Sequence, residues 1–208
     1  MLNPRSPLKT KKKPSTNKYA GVSNNMAESS NEIFGIEQAG YYLLFGEICN
    51  ESVKDCIRFI LEKNLIEHPG IPEIKLVINS CGGDLFDAFA LIDVMNHSAI
   101  PVATYGLGTI ASSGLLIFMA GTKGRRFISK NTAILSHQFS SWSEGKNHEL
   151  ISRNKQFQLT DDLMVRHYKE CTGAKEAVVR KYLLPTTDVW LTAEDAVKYG
   201  LADEVALF

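Results

Sequence analysis

Short apolar segments alternate with helically spaced ones along most of the chain. Residues 50–67 place apolar side chains at intervals of three and four, which predicts an amphipathic helix. Apolar residues at 74–78 and 100–105 predict strands, and residues 84–97 between them again show helical spacing. Strands that alternate with crossover helices are typical of an α/β fold with mostly parallel pairing.

Further elements are predicted on both sides of this central part. Apolar residues at 32–38 and 41–48, joined at Ala39-Gly40, predict a β-hairpin. A glycine turn at 106–108 and a helix of small and apolar residues at 109–120 follow the second central strand. The remaining expected elements are short strands at 126–128, 133–135 and 202–206 and helices at 149–171, 175–183 and 193–199.

The first 31 residues lack this patterning and are rich in Pro, Ser, Asn, Lys and Thr, which predicts a disordered tail before a single domain at 32–208. The formal net charge of 0 conceals a difference between these parts. Residues 1–27 hold six basic and no acidic side chains, which leaves 17 basic and 23 acidic ones for the rest. An acidic domain argues against a nucleic-acid-binding core.

Several classes of protein are excluded by what the sequence lacks. No apolar stretch approaches the roughly 20 residues of a membrane span, and no secretory signal is recognisable. The four cysteines form no CxxC pair and no Cys/His cluster with zinc-site spacing, so no metal is expected. Scattered cysteines in a chain of this size indicate reduced thiols and a cytoplasmic location.

Candidate catalytic residues concentrate between Asp93 and Glu144, where no acidic residue occurs. Ser112 lies among small residues at the start of a predicted helix, where the helix N–H groups could stabilise an oxyanion, although such residues also simply permit close packing. His137 follows a predicted strand, a suitable place for a general base or for an ordinary half-buried histidine. Two consecutive glycines, Gly82-Gly83, allow a backbone N–H to approach a ligand closely.

A nucleotide site is a weaker interpretation of the same region. Gly106-x-Gly108-x-x-Ala111 matches a loose dinucleotide fingerprint between a strand and a helix. The mechanism also requires an acid about 20 residues later to hold the ribose, and none is present there. No phosphate-binding loop of the GxxxxGK[ST] type occurs either, so the chain is not expected to hydrolyse ATP itself.

Five sequence motifs occur in a fixed order between residues 41 and 206. They are Val77-Ile78-Asn79-Ser80-x-Gly82-Gly83, Gly108-x-x-Ala111-Ser112-x-Gly114, Ala120-Gly121-x-Lys123-Gly124-x-Arg126-Phe127, His137-Gln138, and Asp188-x-x-Leu191-Thr192-Ala193-Glu194-x-Ala196 followed by Tyr199-Gly200-Leu201-Ala202-Asp203. In this order and at this spacing they resemble the ClpP family, the proteolytic subunits of ATP-dependent Clp proteases. The resemblance implies an α/β fold of the ClpP/crotonase-like type, a repeated β-β-α spiral with an extended handle helix.

The resemblance also implies a serine endopeptidase with a Ser-His-Asp triad. Its residues would be Ser112, His137 and Asp188, and its oxyanion hole would use the backbone N–H groups of Gly83 and Ser113. Asp161 and Asp162 on the long helix are the alternative acids, but no family motif supports them. Ser112 would attack a peptide carbonyl, His137 would take its proton, and Asp188 would orient His137.

Partners and cofactors are likewise implied by the resemblance. In the family, the handle helix at 149–171 joins two stacked heptameric rings of identical subunits that enclose the active sites. Unfolded polypeptides are the substrates, and a Clp AAA+ unfoldase is a possible partner. No cofactor is expected, because ATP would be used only by the unfoldase.

The chain departs from the family pattern at several positions. Cys81 and Phe139 stand where the family usually has proline, and Ser113 stands where it usually has methionine. The loop at 140–145 lacks the family's glycine-rich strand, and the segment before residue 49 does not follow the family's N-terminal pattern. Two alternatives therefore remain: an inactive or regulatory ClpP-like ring subunit, and a crotonase-type enzyme that acts on acyl-CoA.

Overall fold

The computed structural model describes residues 35–65 and 70–206. Within these ranges the chain forms a single sheet of seven strands. The strands are β1 (Tyr41–Ile48), β2 (Ile74–Gly83), β3 (Val102–Ala111), β4 (Arg126–Ile128), β5 (Ala133–Ser136), β6 (Val189–Leu191) and β7 (Glu204–Val205). The helices are α1 (Asn50–Leu65), α2 (Leu85–Asn96), α3 (Ser113–Met119), α4 (Asn147–Thr172), α5 (Glu176–Val178) with a π-helical turn at Val179–Leu183, and α6 (Ala193–Lys198).

The sheet is mostly parallel, as the sequence predicted. Its main order is β1-β2-β3-β4-β7, and every neighbouring pair in that order is parallel. β3 is shared, because its first half pairs with β4 and its last three residues pair with β5. β6 is antiparallel to β5. The mixed α/β fold with crossover helices is therefore confirmed, including the extended helix α4 of 26 residues.

Two predictions about local structure were wrong. Residues 35–38 are helical rather than part of a β-hairpin, because β1 pairs in parallel with β2 instead of with the segment before it. The rest of that predicted strand and the predicted domain boundary at 31/32 lie outside the described residues. β3 also continues through the predicted turn at 106–108 to Ala111, so the predicted helix at 109–120 begins only at Ser113.

Asn79 explains why β3 continues past its glycines. Gly108 has a positive φ of 63°, which bends the strand without ending it. The side-chain oxygen of Asn79 on β2 accepts a hydrogen bond from Thr109 N at 3.1 Å and bridges the irregular register between the two strands. β2 and β3 consequently stay side by side as far as Gly83 and Ala111.

Helix α3 lies in the centre of the protein. All seven of its residues are buried, and the last five, 115–119, belong with residues of β2, β3 and α2 to one hydrophobic core. This helix lies within the segment between Asp93 and Glu144 that holds no acidic residue. A helix that is apolar on every side needs neighbours all around it, and α3 has the sheet, α2 and α4 as its neighbours.

A buried ion pair joins the C-terminal part of the chain to the sheet. Arg126 of β4 is 2% exposed, and its guanidinium and backbone N–H bond to the carboxylate of Asp203. Its remaining nitrogen donates to the carbonyls of Cys171, at 3.0 Å, and Gly200, at 2.9 Å. Arg126 therefore ties β4 to the ends of α4 and α6.

We expect Asp203→Asn to lower the free energy of unfolding at pH 7 by about 3 to 5 kcal/mol, because Arg126 would remain charged and buried without its counter-charge. Burial opposes ionisation of Asp203, but hydrogen bonds from Arg126 and Gly124 hold the pKa of its carboxyl below the usual range. The ion-pair contribution is therefore present above the ordinary aspartate pKa of about 4 and is lost as the pH falls further. Urea unfolding of both proteins from pH 7 to pH 3 measures the difference and its decline.

Glu62→Gln is the matched control. Glu62 forms an exposed pair with Arg58 on α1 at 3.8 Å. Removing this acid should change the free energy of unfolding by less than about 1 kcal/mol. If Asp203→Asn lowers the free energy of unfolding no more than Glu62→Gln does, the buried pair does not stabilise the packing of β4 against the ends of α4 and α6.

Candidate functional site

Ser112 occupies a sharp turn between β3 and α3. Its φ of 54° and ψ of −127° make it the one non-glycine residue with a positive φ in the described part of the chain. Its N–H donates to Leu135 O on β5, and its carbonyl accepts from Leu115 N in the first turn of α3. Such a backbone costs on the order of 1–3 kcal/mol and persists only where the surroundings impose it. The turn places the serine side chain at the carboxyl end of the parallel strands.

Gly82 and Gly83 are required by the close approach of β2 to this turn. A Cβ on Gly82 would lie 2.6 Å from Ser112 Cβ and 2.9 Å from Ala111 O. A Cβ on Gly83 would lie 2.1 Å from Ile48 O on β1. Both glycines also have positive φ values, 97° and 152°. No larger residue fits at either position, and Gly83 lines the same cleft as Ser112.

His137 and Asp188 are brought together by the pairing of β5 with β6. Ser136 lies opposite Val189 in this antiparallel pair, so the residue after one strand faces the residue before the other. His137 Nδ1 lies 3.9 Å from Asp188 Oδ1, which is longer than a hydrogen bond. The alternative acid Asp161 forms an ion pair with Arg180 at 2.9 Å instead, and neither it nor Asp162 lines the cleft that contains His137.

Four of the five residues predicted for the site line one cleft of about 270 Å³. They are Gly83, Ser112, Ser113 and His137, and Asp188 lies beside His137 at the rim. The side chain of His137 is about a quarter exposed, and that of Asp188 is about two-thirds exposed. The structure thus brings a serine, a histidine and a carboxylate into one neighbourhood, next to the first N–H group of α3.

Helix α4 forms the opposite wall of the cleft, and sequence reasoning missed its contribution. Phe157, Thr160 and Met164 face the cleft from this helix, and Phe139 faces it from the segment after β5. Their spacing in the sequence indicated only an amphipathic helix, and the face that meets the site depends on how α4 crosses the molecule. Apolar walls of this kind bury the side chains of a ligand.

His167 fixes the position of α4 against the serine helix. Its Nε2 lies 2.9 Å from Leu116 O, one turn after Ser112, and its ring packs edge-on against Phe89 of α2. Burial lowers the pKa of His167, and this effect outweighs the bond to Leu116 that favours the charged form. A neutral His167 donates this bond from its Nε2–H, so α3 and α4 are held together without a buried charge.

The thiols of the core are not alternative nucleophiles. All four cysteines are unpaired with one another. Burial raises the pKa of Cys171 to about 12 and that of Cys56 further, so both remain protonated near neutral pH.

In the described ranges there is no cluster of three or more His, Cys, Asp or Glu side chains that could hold a metal ion. None of the helices described has the length and apolarity to cross a membrane.

Ser113 carries a buried hydroxyl without a partner. The residue is 2% exposed, and among the described residues its Oγ is the one buried side-chain oxygen or nitrogen that makes no hydrogen bond. An unsatisfied buried hydroxyl costs on the order of 1–3 kcal/mol. The backbone N–H of Ser113 does not depend on this side chain.

We expect Ser113→Ala to raise the free energy of unfolding by about 1 kcal/mol, because it removes the unsatisfied oxygen and leaves the backbone in place. Chemical denaturation measures the change. Ser136→Ala is the matched control, since the buried Ser136 hydroxyl bonds to Tyr168 OH and Leu183 O and its removal should destabilise by about 1–3 kcal/mol. An equal loss of stability in both variants would show that the Ser113 hydroxyl makes a hydrogen bond in the folded protein.

Comparison with known proteins gives consistent results over most of the chain. The sequence profile of the family described as Clp protease matches residues 42–207. The ATP-dependent Clp protease proteolytic subunit 2 of Corynebacterium glutamicum is 36% identical over 133 residues, which is 64% of this chain and 65% of that protein. The subunit 2 of Mycolicibacterium paratuberculosis is 30% identical over 165 residues, or 78% of this chain and 80% of that protein.

A third relative extends the same similarity to another bacterial group. The ATP-dependent Clp protease proteolytic subunit of Deinococcus radiodurans is 33% identical over 134 residues, 64% of this chain and 64% of that protein. The matched part thus spans just under two thirds of the length of the first relative named above. The profile covers well over half of the present sequence and includes all five predicted site residues. The chain belongs to the Clp protease family.

Proposed function

We propose that this chain is a serine endopeptidase subunit in which Ser112 is the nucleophile. The observation that carries the proposal is the positive-φ turn at Ser112, which shares one cleft with His137 and is packed against Gly82. A strained strand-to-helix turn of this kind exposes a serine Oγ at the end of a parallel sheet. Family membership supports the same reaction, since the relatives are named as proteolytic subunits.

In the proposed reaction, His137 takes the proton of Ser112 as the hydroxyl attacks a peptide carbonyl. The oxyanion that forms would be stabilised by the backbone N–H groups of Gly83 and Ser113. Ser113 N–H is the first of helix α3, so it has no acceptor within that helix and adds to the positive end of the helix dipole. His137 then donates its proton to the leaving amine, and water releases the acyl group from Ser112.

Asp188 would hold His137 in the orientation and tautomer that this reaction needs. The present separation of 3.9 Å must shorten by about 1 Å to become a hydrogen bond. Catalytic hydrogen bonds are often long in the absence of substrate and tighten when it binds. The exposed position of Asp188 at the rim leaves room for this small movement.

The long Nδ1–Oδ1 distance also supports a second candidate function, a regulatory ring subunit that assembles with an active relative. In such a subunit the three side chains would be near one another without completing the triad. Reaction with an active-site probe separates the two functions, because a regulatory subunit has no activated serine.

We expect a fluorophosphonate probe to label the intact protein and not Ser112→Ala, because only an activated serine reacts rapidly with it. Gel fluorescence and intact-protein mass measure the label. Ser143→Ala is the control, since Ser143 is in the loop beside the cleft but does not line it. Absence of label on the intact protein, or equal label on Ser112→Ala, would overturn the peptidase proposal and favour the regulatory one.

We expect Asp188→Asn to lower kcat for a peptide substrate by about 10²- to 10⁴-fold, because His137 would lose the group that fixes its tautomer. Asp161→Asn tests the alternative acid and should change kcat little, as Asp161 pairs with Arg180 away from the cleft. Steady-state kinetics of both variants give the comparison. A large loss in Asp161→Asn with normal activity in Asp188→Asn would transfer the role to the other acid.

Assembly, partner and location are part of the same proposal. The subunits would form stacked heptameric rings in the cytoplasm, with a Clp AAA+ unfoldase feeding unfolded polypeptides and using the ATP, while the chain itself needs no cofactor. Exposed apolar residues on and beside α4 support self-association: Trp142, Leu150, Ile151 and Leu159.

We expect light scattering to give a solution mass of about seven or fourteen subunits, since closed symmetric assembly would cover the apolar side chains of α4. Degradation of a folded protein with and without a Clp ATPase and ATP tests the unfoldase in the same preparation. A monomeric mass would contradict the chamber, and degradation that is independent of the ATPase would contradict the partner.

A further inference from the structure

The active-site cleft is lined by several hydrogen-bond donors besides the residues of the proposed triad and oxyanion hole. Arg153 and Gln156 face it from α4, and Ser140 and Ser141 face it from the segment after β5. Arg153 donates to Gln156 Oε1 at 3.0 Å. The other N–H groups of Arg153 and the amide N–H groups of Gln156 are not used by this bond and can donate to a ligand. In the ranges that the structure describes, Arg153 has no ion pair, and neither serine hydroxyl makes a hydrogen bond.

This donor cluster, defined as Arg153, Gln156, Ser140 and Ser141, makes no ion pair with an acidic side chain of the described residues. Glu149, one helical turn before Arg153, accepts a hydrogen bond from Lys146 N at 2.8 Å instead. The other charged group on the cleft wall is Asp84, whose carboxylate already accepts hydrogen bonds from Phe86 N and Asp87 N at the start of α2. Apart from Arg153, Asp84 and His137, the cleft lining consists of uncharged residues. An arginine fork beside an amide and two hydroxyls is a set of donors suited to a carboxylate.

Within the donor cluster, Arg153 lies far along α4 from the part of that helix that bonds to the serine helix. His167 of α4 bonds to Leu116, one turn after Ser112, whereas Arg153 lies near the other end of the same helix. From Met164, the last cleft residue of α4, to Arg153 the helix rises about 16 Å. An extended peptide covers that length in about five residues, and fewer once the reach of two side chains is included.

We propose that Arg153 is a specificity-determining residue that selects peptides with an acidic side chain about two to five residues from the cleaved bond. This rests on the proposed peptidase function, because it assigns a preference to the same cleft. The apolar wall of Phe139, Phe157 and Met164 takes the side chain beside the cleaved bond, and the donor cluster binds the carboxylate farther along. Glutamate is preferred to glutamine at that position because only the carboxylate adds charge to the hydrogen bonds.

The test uses the whole protein and pairs of fluorogenic peptides that differ only by Glu or Gln at one position. Each position from two to five residues on either side of the cleaved bond is varied in turn. We expect the intact protein to show a kcat/KM about tenfold higher for Glu than for Gln at one position, since 1.4 kcal/mol corresponds to a factor of ten. In Arg153→Gln this ratio should fall to about one, because the charge that distinguishes the two peptides is removed.

Lys155→Gln is the matched control. Lys155 is two residues away on the same helix and outside the cleft, so its loss changes the net charge equally but should keep the Glu preference. A charge reversal, Arg153→Glu, should favour a Lys peptide over the Glu peptide at the same position. In the intact protein, the ratio of kcat/KM for the Glu peptide to that for the Gln peptide should also decrease with added salt, because partly exposed charges are screened.

Three outcomes would overturn the proposal while leaving the peptidase function intact. They are a Glu to Gln ratio near one in a preparation whose Ser112 reacts with the probe in a separate sample, a ratio unchanged in Arg153→Gln, and a ratio lost equally in Lys155→Gln. Light scattering of Arg153→Gln adds a fourth, since a changed mass with equal loss on both peptides would assign Arg153 to a contact between subunits. Failure of the peptidase function is recognised separately, by the absence of probe label at Ser112.

Discussion

The structure depends on the contact between the end of β2 and the turn at Ser112. β2 and β3 run in parallel to the same edge of the sheet, and there the backbone of Gly82 lies too close to Ser112 for any Cβ. This contact holds Ser112 at a positive φ that a serine would not adopt by itself. The cost of that backbone is offset by the buried helix α3 that starts at the next residue. Strand pairing, the strained turn and helix burial therefore support one another.

The second requirement is that α4 be held against this centre. His167 bonds to the backbone of α3, and Arg126 bonds to the carbonyl of Cys171 near the end of α4. In both interactions a buried polar side chain donates a hydrogen bond to a backbone carbonyl. Because hydrogen bonds depend on direction, they fix the orientation of α4 as well as its distance from its neighbours. The cleft exists because α4 continues from this anchored end past Ser112, with Phe157 and Met164 turned towards the serine.

Much of this arrangement could be predicted from the sequence, and the failures have physical causes. The motifs that contain Gly83, Ser112 and His137 lie at strand ends, and the ends of parallel strands meet at one edge, so these residues converge. Asp188 could be placed only by the family resemblance, because an antiparallel partner for β5 is not visible in local patterning. The prediction failed at 106–108, where two glycines suggested a turn. Asn79 on the neighbouring strand keeps that segment in the sheet, and such a long-range bond leaves no local signal.

The two sides of the cleft differ in how freely their residues can change. On the floor of the cleft, formed by Gly83, Ser112 and Ser113, the groups proposed to bind an oxyanion are backbone N–H groups, and contacts that admit no side chain at Gly82 or Gly83 set the backbone geometry there. A backbone N–H does not depend on the residue type, so a serine at position 113, where the family usually has methionine, is compatible with the proposed role. On the α4 wall, Arg153 and Gln156 are exposed side chains on a regular helix, where substitution costs little stability. We therefore expect the substrate preference of this chain to depend on the side chains of the α4 wall more than on the backbone beside Ser112.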